Sequence, residues 1–323
     1  MTLRDLSVED LVDRARSGDR RALGRVLSWI EAGGARADEV TAVTHPLAGD
    51  SHVVGITGSP GAGKSTLTGQ LVHVLCERGR RPAVLAVDPS SPLTGGAILG
   101  DRIRMDDLAG EAAFIRSVAT RGHSGGLALS VPGSVRVFDS AGYDPVIIET
   151  VGVGQVEVDV VGAADTTVVV VTPGWGDAVQ ANKAGLLEVA DIFVVNKADR
   201  PGADDARRDL ELMLDLSHVT GAEDPTGRRP PIIMTTATEG RGAPDLWQAI
   251  ADHAAHLRRT GHLAARQADR LRAEVLNRID QALEGRAREL LDQEDGRTVL
   301  DRVVARELSP TAAGRQLIDS MLR

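Results

Sequence analysis

The chain has 323 residues, of which 42% are apolar, a net charge of −9 at neutral pH and a single cysteine, Cys76. This length and apolar content predict one large core with an appendage. The negative charge argues against nucleic acid or an anionic membrane as a partner, and one cysteine excludes an internal disulfide. Because no apolar run reaches membrane-spanning length and no signal-peptide core is visible, a cytoplasmic protein is expected.

Three regions differ in their patterning. Residues 1–50 repeat apolar side chains near helical spacing, which predicts an N-terminal helical segment. Residues 51–260 alternate apolar runs with amphipathic stretches, which predicts an α/β domain with a central, mostly parallel sheet flanked by helices. Residues 261–323 carry a long apolar stripe among charges, which predicts a helical arm. A second copy of the chain is the favoured partner for this stripe, and packing on its own domain is the alternative.

The strongest motif lies between an apolar run and an amphipathic run. It reads Gly58-Ser59-Pro60-Gly61-Ala62-Gly63-Lys64-Ser65-Thr66. Strand, glycine loop and helix in this order fit G-x-x-x-x-G-K-[ST], the phosphate-binding loop. Its backbone N–H groups and the helix N-terminus would hold phosphate oxygens. Lys64 would reach the β- and γ-phosphates, and the Ser65 hydroxyl would bind Mg²⁺.

Three carboxylates downstream are candidates for metal and water chemistry. Asp88, Asp101 and Glu149 each end a predicted strand or a glycine-rich loop. Open α/β sheets bind ligands at the carboxyl ends of their strands, so some of these acids are expected to share a Mg²⁺ ion with Ser65. Together with Lys64 they form the predicted catalytic set. Which acid binds the metal and which orients the attacking water stays open.

A second motif follows a later apolar run. It reads Asn196-Lys197-Ala198-Asp199 and matches the guanine-recognition pattern N-K-x-D. Asp199 can accept two hydrogen bonds from the ring N–H and the exocyclic amine of guanine, a pair that adenine does not offer. Asn196 can bond the other side of the base, and the aliphatic stem of Lys197 can cover the ring. The backbone N–H groups of Thr236 and Ala237 are candidates for the base edge. These features favour GTP over ATP.

Lysine is used sparingly in this chain. Only three of the 37 basic residues are lysines, namely Lys64, Lys183 and Lys197. A lysine kept against such a bias indicates a place where a compact ammonium is needed. Two of the three fall in the motifs above, and Lys183 belongs to neither.

Two weaker patterns are set aside. His253, His256 and His262 lie near one another, but without a carboxylate or cysteine beside them they predict solvated polar groups more than a metal site. Asp215 and His218 resemble part of a cobalamin-binding loop with the wrong spacing. We therefore expect no cobalamin to be bound by this chain alone.

Together these motifs resemble the MeaB/ArgK family of P-loop GTPases (SIMIBI class), which is related to the human methylmalonic aciduria type A protein. The stretches that carry the resemblance are residues 58–66, 88–92, 94–102, 149–155 and 196–199. The resemblance implies a homodimeric, GTP-hydrolysing metallochaperone. It would gate adenosylcobalamin loading and protect an adenosylcobalamin-dependent acyl-CoA mutase, methylmalonyl-CoA mutase or a close relative. The mutase's adenosyltransferase is a further implied partner.

The resemblance also implies three switch segments. Asp88 and Asp101 would fall in the first and residues 149–155 in the second. The third would be formed by Asp177, Gln180 and Lys183. Three departures from the family pattern, Val156, Trp175 and Pro132-Gly133, leave open which mutase is served, and the proline is expected to kink or interrupt a helix.

Three other functions stay open at this point. A GTPase that delivers nickel to another metalloenzyme would need Cys or His ligands in the switches, and none are present. A transport-linked kinase would need a kinase loop signature, which the chain lacks. A nucleotide-binding regulator with negligible turnover is the third. Slow intrinsic hydrolysis that a partner accelerates is the expected behaviour, because the hydrolytic residues are polar but incomplete.

Overall fold

A computed structural model describes residues 6–89, 112–120, 130–150, 162–174, 190–220 and 228–321 of the chain. The chain divides into two compact units, residues 1–267 and residues 268–323. The predicted division at residues 50 and 260 is a sequence-based one, and it remains a prediction.

The elements alternate between strands and helices over most of the first unit. The strands are β1 Val53–Gly58, β2 Ala83–Pro89, β3 Phe114–Thr120, β4 Val146–Thr150, β5 Thr166–Val171, β6 Ile192–Asn196 and β7 Ile232–Thr235. The helices in the described part of the chain are α1 Val8–Arg16, α2 Arg20–Ala32, α3 Ala35–Thr44, α4 Lys64–Glu77, α5 Ser130–Ser140, α6 Ala203–Thr220, α7 Ala243–Thr260, α8 His262–Asp292, α9 Glu294–Val304 and α10 Pro310–Met321. Short 3₁₀ helices lie at His45–Leu47 and Ala237–Glu239.

The seven strands form one parallel sheet in the order β3-β2-β4-β1-β5-β6-β7. Every residue of β1, β4, β5 and β6 is buried, as expected for parallel strands covered by helices on both faces. The predicted fold class is therefore confirmed. We call the end of the sheet where β1, β4, β6 and β7 finish the carboxyl edge, and the end where they begin the amino edge.

The N-terminal helices cover one face of the sheet. Their buried residues, such as Leu11 and Leu27, belong to a core cluster that also includes Leu85 of β2 and Ile148 of β4. The predicted helical pattern and its break at Gly33-Gly34 agree with the structure, since α2 ends and α3 begins on either side of that pair. The segment therefore packs as part of the first unit.

The expectation that Pro132 and Gly133 interrupt a helix is wrong. Helix α5 runs through both residues over its described range, Ser130–Ser140. Gly133 permits close packing, because a Cβ at this position would lie 2.9 Å from Cγ2 of Ile30 on α2.

The second unit holds most of α8 together with α9 and α10. Five apolar residues of α8 are 44–58% exposed, namely Leu271, Val275, Leu276, Ile279 and Leu283. Among the residues that the structure describes, no helix combines the length and the hydropathy needed to cross a membrane.

Candidate functional site

The phosphate-binding loop lies at the carboxyl edge, between the end of β1 at Gly58 and the start of α4 at Lys64. Gly58 and Gly63 have φ values of 135° and 87°, a region that favours glycine. A Cβ at Gly58 would lie 2.1 Å from the Val170 carbonyl oxygen, and one at Gly63 would lie 2.5 Å from Nδ2 of Asn196. Both positions therefore require glycine, for conformation and for space.

Lys64 turns back over its own loop. Its ammonium Nζ donates to the Gly58 carbonyl at 2.6 Å and to the Ser59 carbonyl at 3.1 Å, and the residue is only 6% exposed. A buried ammonium needs such oxygen partners. These two bonds keep the charge at the mouth of the loop, where the sequence predicts that it meets phosphate oxygens.

Ser65 and Glu149 meet at the start of α4. The Ser65 hydroxyl donates to Oε1 of Glu149 at 2.5 Å, and Glu149 is 1% exposed. The strand register explains the meeting, because Glu149 on β4 lies opposite Ile56 of β1, two residues before Gly58. Two of the predicted metal ligands are therefore brought together by adjacent strands.

The other two predicted acids are less well located. The backbone of Asp88 lies near the end of β2, where Ala86 pairs with Glu149. Asp88 thus belongs to the same edge of the sheet as Glu149. Asp101 lies outside the described residues, as do the predicted third-switch residues Asp177, Gln180 and Lys183. Val156 and Trp175 are likewise outside the part of the chain that the structure describes.

The guanine motif begins at the last residue of β6 and is tied to the phosphate loop. Nδ2 of Asn196 donates to the Ala62 carbonyl at 2.8 Å, and Nζ of Lys197 donates to the Gly61 carbonyl at 2.7 Å. Asp199 is exposed and forms no hydrogen bond or ion pair with another described residue. The two motifs, more than 130 residues apart in the chain, therefore form one site, with a carboxylate open to solvent on the base side.

The loop after β7 differs from its prediction. The Ala237 N–H donates to Oδ1 of Asn196 at 3.1 Å, and the Thr236 N–H donates to the Arg241 carbonyl at 3.0 Å. Both groups that were expected to face the base edge are thus used inside the protein. The buried amide oxygen of Asn196 needs donors, and Ala237 supplies one of them.

One residue beside the motif was missed from the sequence. Thr235, at the end of β7, donates its hydroxyl to Oδ1 of Asn196 at 3.0 Å and accepts the Ala198 N–H on its carbonyl at 2.9 Å. A threonine directly before the predicted Thr236-Ala237 pair, at the tip of a strand next to β6, was the available signal.

A second polar cluster lies at the amino edge. Its member His253 was predicted to be solvated, which is wrong because it is 1% exposed, and the other members were missed from the sequence. The Thr166 hydroxyl lies 2.7 Å from Nε2 of His52 and 2.8 Å from Nδ1 of His253. Nε2 of His253 lies 3.4 Å from Oδ1 of Asp191. Arg266 donates to both oxygens of this carboxylate, to Oδ1 at 2.9 Å and to Oδ2 at 3.0 Å. Within the described ranges, no group of three or more His, Cys, Asp or Glu residues could hold a metal ion.

Burial sets the charge state of this cluster. It lowers the pKa of His253 from 6.5 to about 4, because a charged ring loses its hydration there. The nearby carboxylate of Asp191 opposes this shift, whereas Arg266, Arg228 and His52 add to it. His253 is therefore a neutral ring at physiological pH, and the described residues give it no part in nucleotide binding.

The class of the protein follows from the carboxyl edge. A parallel sheet that presents a Walker-type loop beside a guanine-reading tetrad is that of a P-loop GTPase. The family described as Methylmalonyl Co-A mutase-associated GTPase MeaB matches residues 23–291. The chain belongs to this family, and it is a GTPase by that membership.

Curated relatives and a solved structure agree with this assignment. A protein of Pyrococcus abyssi that is assigned to the GTPases is 42% identical over 316 residues, covering 98% of this chain and 97% of its own length. GTPase ArgK of Escherichia coli K12 is 36% identical over 266 residues, covering 81% of this chain and 80% of its own. The crystal structure of LAO/AO transport system kinase has a TM-score of 0.68 at 28% identity and covers 98% of both chains.

Proposed function

We propose that the chain couples Mg²⁺-dependent GTP hydrolysis to the maintenance of an adenosylcobalamin-dependent acyl-CoA mutase. The observation that carries the nucleotide part is the bond from Nδ2 of Asn196 to the Ala62 carbonyl. This bond joins a base-reading residue to a phosphate-binding loop in one site. The family description, which names methylmalonyl-CoA mutase, supports the partner.

The loop would bind the phosphates of the nucleotide, and the tetrad would bind its guanine base. Residues 58–66 and the N-terminus of α4 would bind the phosphates through backbone N–H groups, with Lys64 on the β- and γ-oxygens. Asp199, whose carboxylate is exposed, would accept the two N–H groups of guanine. Asn196 and Lys197 would flank the base, and Thr236 and Ala237 would line its edge through groups other than their engaged N–H donors.

The oxygen donors at the start of α4 fit a Mg²⁺ ion. Mg²⁺ prefers hard oxygen ligands. Two such oxygens, Oγ of Ser65 and Oε1 of Glu149, already lie 2.5 Å apart. Asp88 and Asp101 complete the proposed set, one of them positioning the attacking water. When bound, the ion would neutralise charge on the β- and γ-phosphate oxygens. Glu149, buried against Ser65, holds the serine hydroxyl in place for that role.

Hydrolysis is expected to be slow until a partner assists. We propose that residues 88–102 and 149–155 respond to the γ-phosphate, and that Asp177, Gln180 and Lys183 report the nucleotide state to the mutase. GTP and GDP states would then gate adenosylcobalamin loading and protect the mutase, with the adenosyltransferase as the cofactor's source. The cobalamin itself would stay with those partners.

The arm is proposed to pair with a second copy of the chain. Leu271, Val275, Ile279 and Leu283 follow one another at four-residue spacing on α8 and are exposed. Neighbours four apart lie on one face of a helix, so they form a continuous apolar row. Sedimentation of the full chain should give a dimer, and a monomer at micromolar concentration would remove this element of the proposal.

One experiment tests the function as a whole. Calorimetry should show tight GTP and GDP binding and no comparable ATP binding. Phosphate release measured alone should be slow, and it should rise when the matching mutase is added from a panel of cobalamin-dependent acyl-CoA mutases. Equal binding of ATP would overturn the guanine assignment, whereas fast turnover without a partner, or no response to any mutase, would overturn the chaperone role.

A further inference from the structure

The side-chain amide of Asn196 is held on both of its sides. Its oxygen Oδ1 accepts the Thr235 hydroxyl at 3.0 Å and the Ala237 N–H at 3.1 Å. Its nitrogen Nδ2 donates to the Ala62 carbonyl at 2.8 Å. Asn196, Thr235 and Ala237 are all buried. The phosphate loop is thereby linked to the tip of β7 through one amide group.

These partners fix which way the amide points. A backbone N–H can only donate, so the atom that faces Ala237 must be the amide oxygen. The nitrogen then faces the loop, close enough to Gly63 that no side chain fits between them. The Thr235 hydroxyl adds a second donor to the same oxygen, and buried bonds of this kind strengthen one another.

Lys197 supports the same loop from the next position. It has a φ of 59°, which is rare for a residue with a side chain, and its Nζ donates to the Gly61 carbonyl. Such a backbone persists where surrounding bonds over-determine it. One of those bonds comes from Thr235, whose carbonyl accepts the N–H of Ala198, the next residue along.

We propose that Thr235 is a positioning residue for the phosphate site. Through Asn196 and the backbone of the guanine motif, it holds the carbonyls of the phosphate loop outward, so that the loop is ready for phosphate before any base binds. The inference rests on the proposed function, because it assumes that this loop receives a nucleotide. It deepens that function, because it gives the base-reading motif a second task in phosphate recognition.

Inorganic pyrophosphate is the probe that separates the two tasks, since it has no base. We would measure its affinity, and that of GDP, for the wild-type chain, Thr235→Val and Thr235→Ser. Thr166→Val is the matched control, because it removes a buried threonine hydroxyl with two hydrogen-bonding partners at the opposite edge of the sheet. Thermal unfolding of each variant would report any general loss of stability.

Thr235→Val should weaken pyrophosphate and GDP together by about fivefold, the range expected for one hydrogen bond. Thr235→Ser should restore both affinities, and Thr166→Val should lower the melting temperature without changing either. The inference is wrong if Thr235→Val weakens GDP alone, if serine does not rescue, or if Thr166→Val weakens pyrophosphate equally.

A measurement on the wild type keeps the test independent of how the variants fold. If the loop is ready before the base binds, saturating guanosine should change the pyrophosphate affinity by less than about twofold. A large gain on adding guanosine would show that the base organises the loop, and would overturn the inference. Failure of the wild-type chain to bind GDP at all would instead overturn the proposed function.

Discussion

The two edges of the sheet contain similar polar residues, but those at the carboxyl edge belong to the proposed nucleotide site and those at the amino edge are structural. At the carboxyl edge, Lys64 and Ser65 lie at the mouth of a loop and Asp199 faces solvent. At the amino edge, His253 and Asp191 are buried and bonded to neighbouring strands and helices. Residue type alone therefore does not separate a binding group from a structural one. Burial does not separate them either, since Lys64 and Asp191 are both buried; their place at the carboxyl or the amino ends of the strands does.

At the amino edge, the Thr166 hydroxyl links the rings of His52 and His253. The Thr166 hydroxyl has one proton, so it donates to one histidine and accepts from the other. Nε2 of His253 faces the Asp191 carboxylate and must carry a proton, which leaves its Nδ1 to accept from Thr166. His52 then donates through Nε2. The outer ring nitrogens face carboxylates at longer range: Nδ1 of His52 lies 3.7 Å from Oδ2 of Asp165, and Nε2 of His253 lies 3.4 Å from Oδ1 of Asp191.

The largest effect is expected at the carboxyl edge, where removing the loop lysine should weaken nucleotide binding. Lys64→Ala deletes the ammonium proposed for both terminal phosphates, so GTP affinity measured by calorimetry should fall about a thousandfold, roughly 4 kcal/mol. Arg78→Ala is the matched control, because it removes an exposed cation just past the other end of α4. Unchanged GTP affinity in Lys64→Ala would exclude this lysine from the site.

Acid should lower the stability of the protein through the His253 cluster at the amino edge. The unfolded ring of His253 takes up a proton near pH 6.5 and the folded ring only near 4, so the unfolded chain gains protons first. The free energy of unfolding should therefore fall as pH drops from 6.5 to 4, by up to about 3 kcal/mol from this group. His253→Gln should flatten this part of the profile in urea unfolding, whereas His256→Gln should not. Parallel profiles for the wild type and His253→Gln would contradict the assignment.

Changing the base-reading acid should alter selectivity at the carboxyl edge. Asp199→Asn replaces a double acceptor with an amide, whose N–H suits the 2-oxo group of xanthine. The variant should lose about tenfold in GTP affinity and gain for xanthosine triphosphate in competition binding. Asp204→Asn, an exposed acid on α6, provides the control. Retained GTP preference would remove Asp199 from the base pocket.

The smallest effect is expected from the arginine of the amino edge. Arg266→Lys exchanges a two-pronged guanidinium for a single ammonium at Asp191, which should cost about 1 kcal/mol of stability in denaturant unfolding. GTP affinity should not change, since Arg266 and the nucleotide site lie at opposite edges of the sheet. If Arg266→Lys changed the GTP affinity but not the free energy of unfolding, the assignment of Arg266 to a purely structural role would be wrong.

The sequence predicted the parts of the site whose chemistry is local. The loop at 58–66 and the tetrad at 196–199 each lie within one short segment, and apolar runs placed them at strand ends. The amino-edge cluster could not be predicted this way, because Thr166 is 114 residues from His52 and 87 from His253. Only the register of β1 and β5 and the packing of α7 bring them together.

Two expectations differ from the structure. Pro132 was expected to interrupt a helix, but α5 runs through it. The N–H of Ala237 was expected to face the base, but the fold brings Asn196 within reach of it first. For Ala237, a neighbour distant in sequence decides the outcome. The third-switch predictions lie outside the described residues and stay predictions.

Gly58 has a further consequence. The space where its side chain would be is taken by the carbonyl of Val170, on the strand that leads into the proposed partner-sensing segment. A methyl group at position 58 would therefore displace the end of β5 and distort the phosphate-binding loop. A substitution there would also displace the strand that precedes the segment proposed to report the nucleotide state.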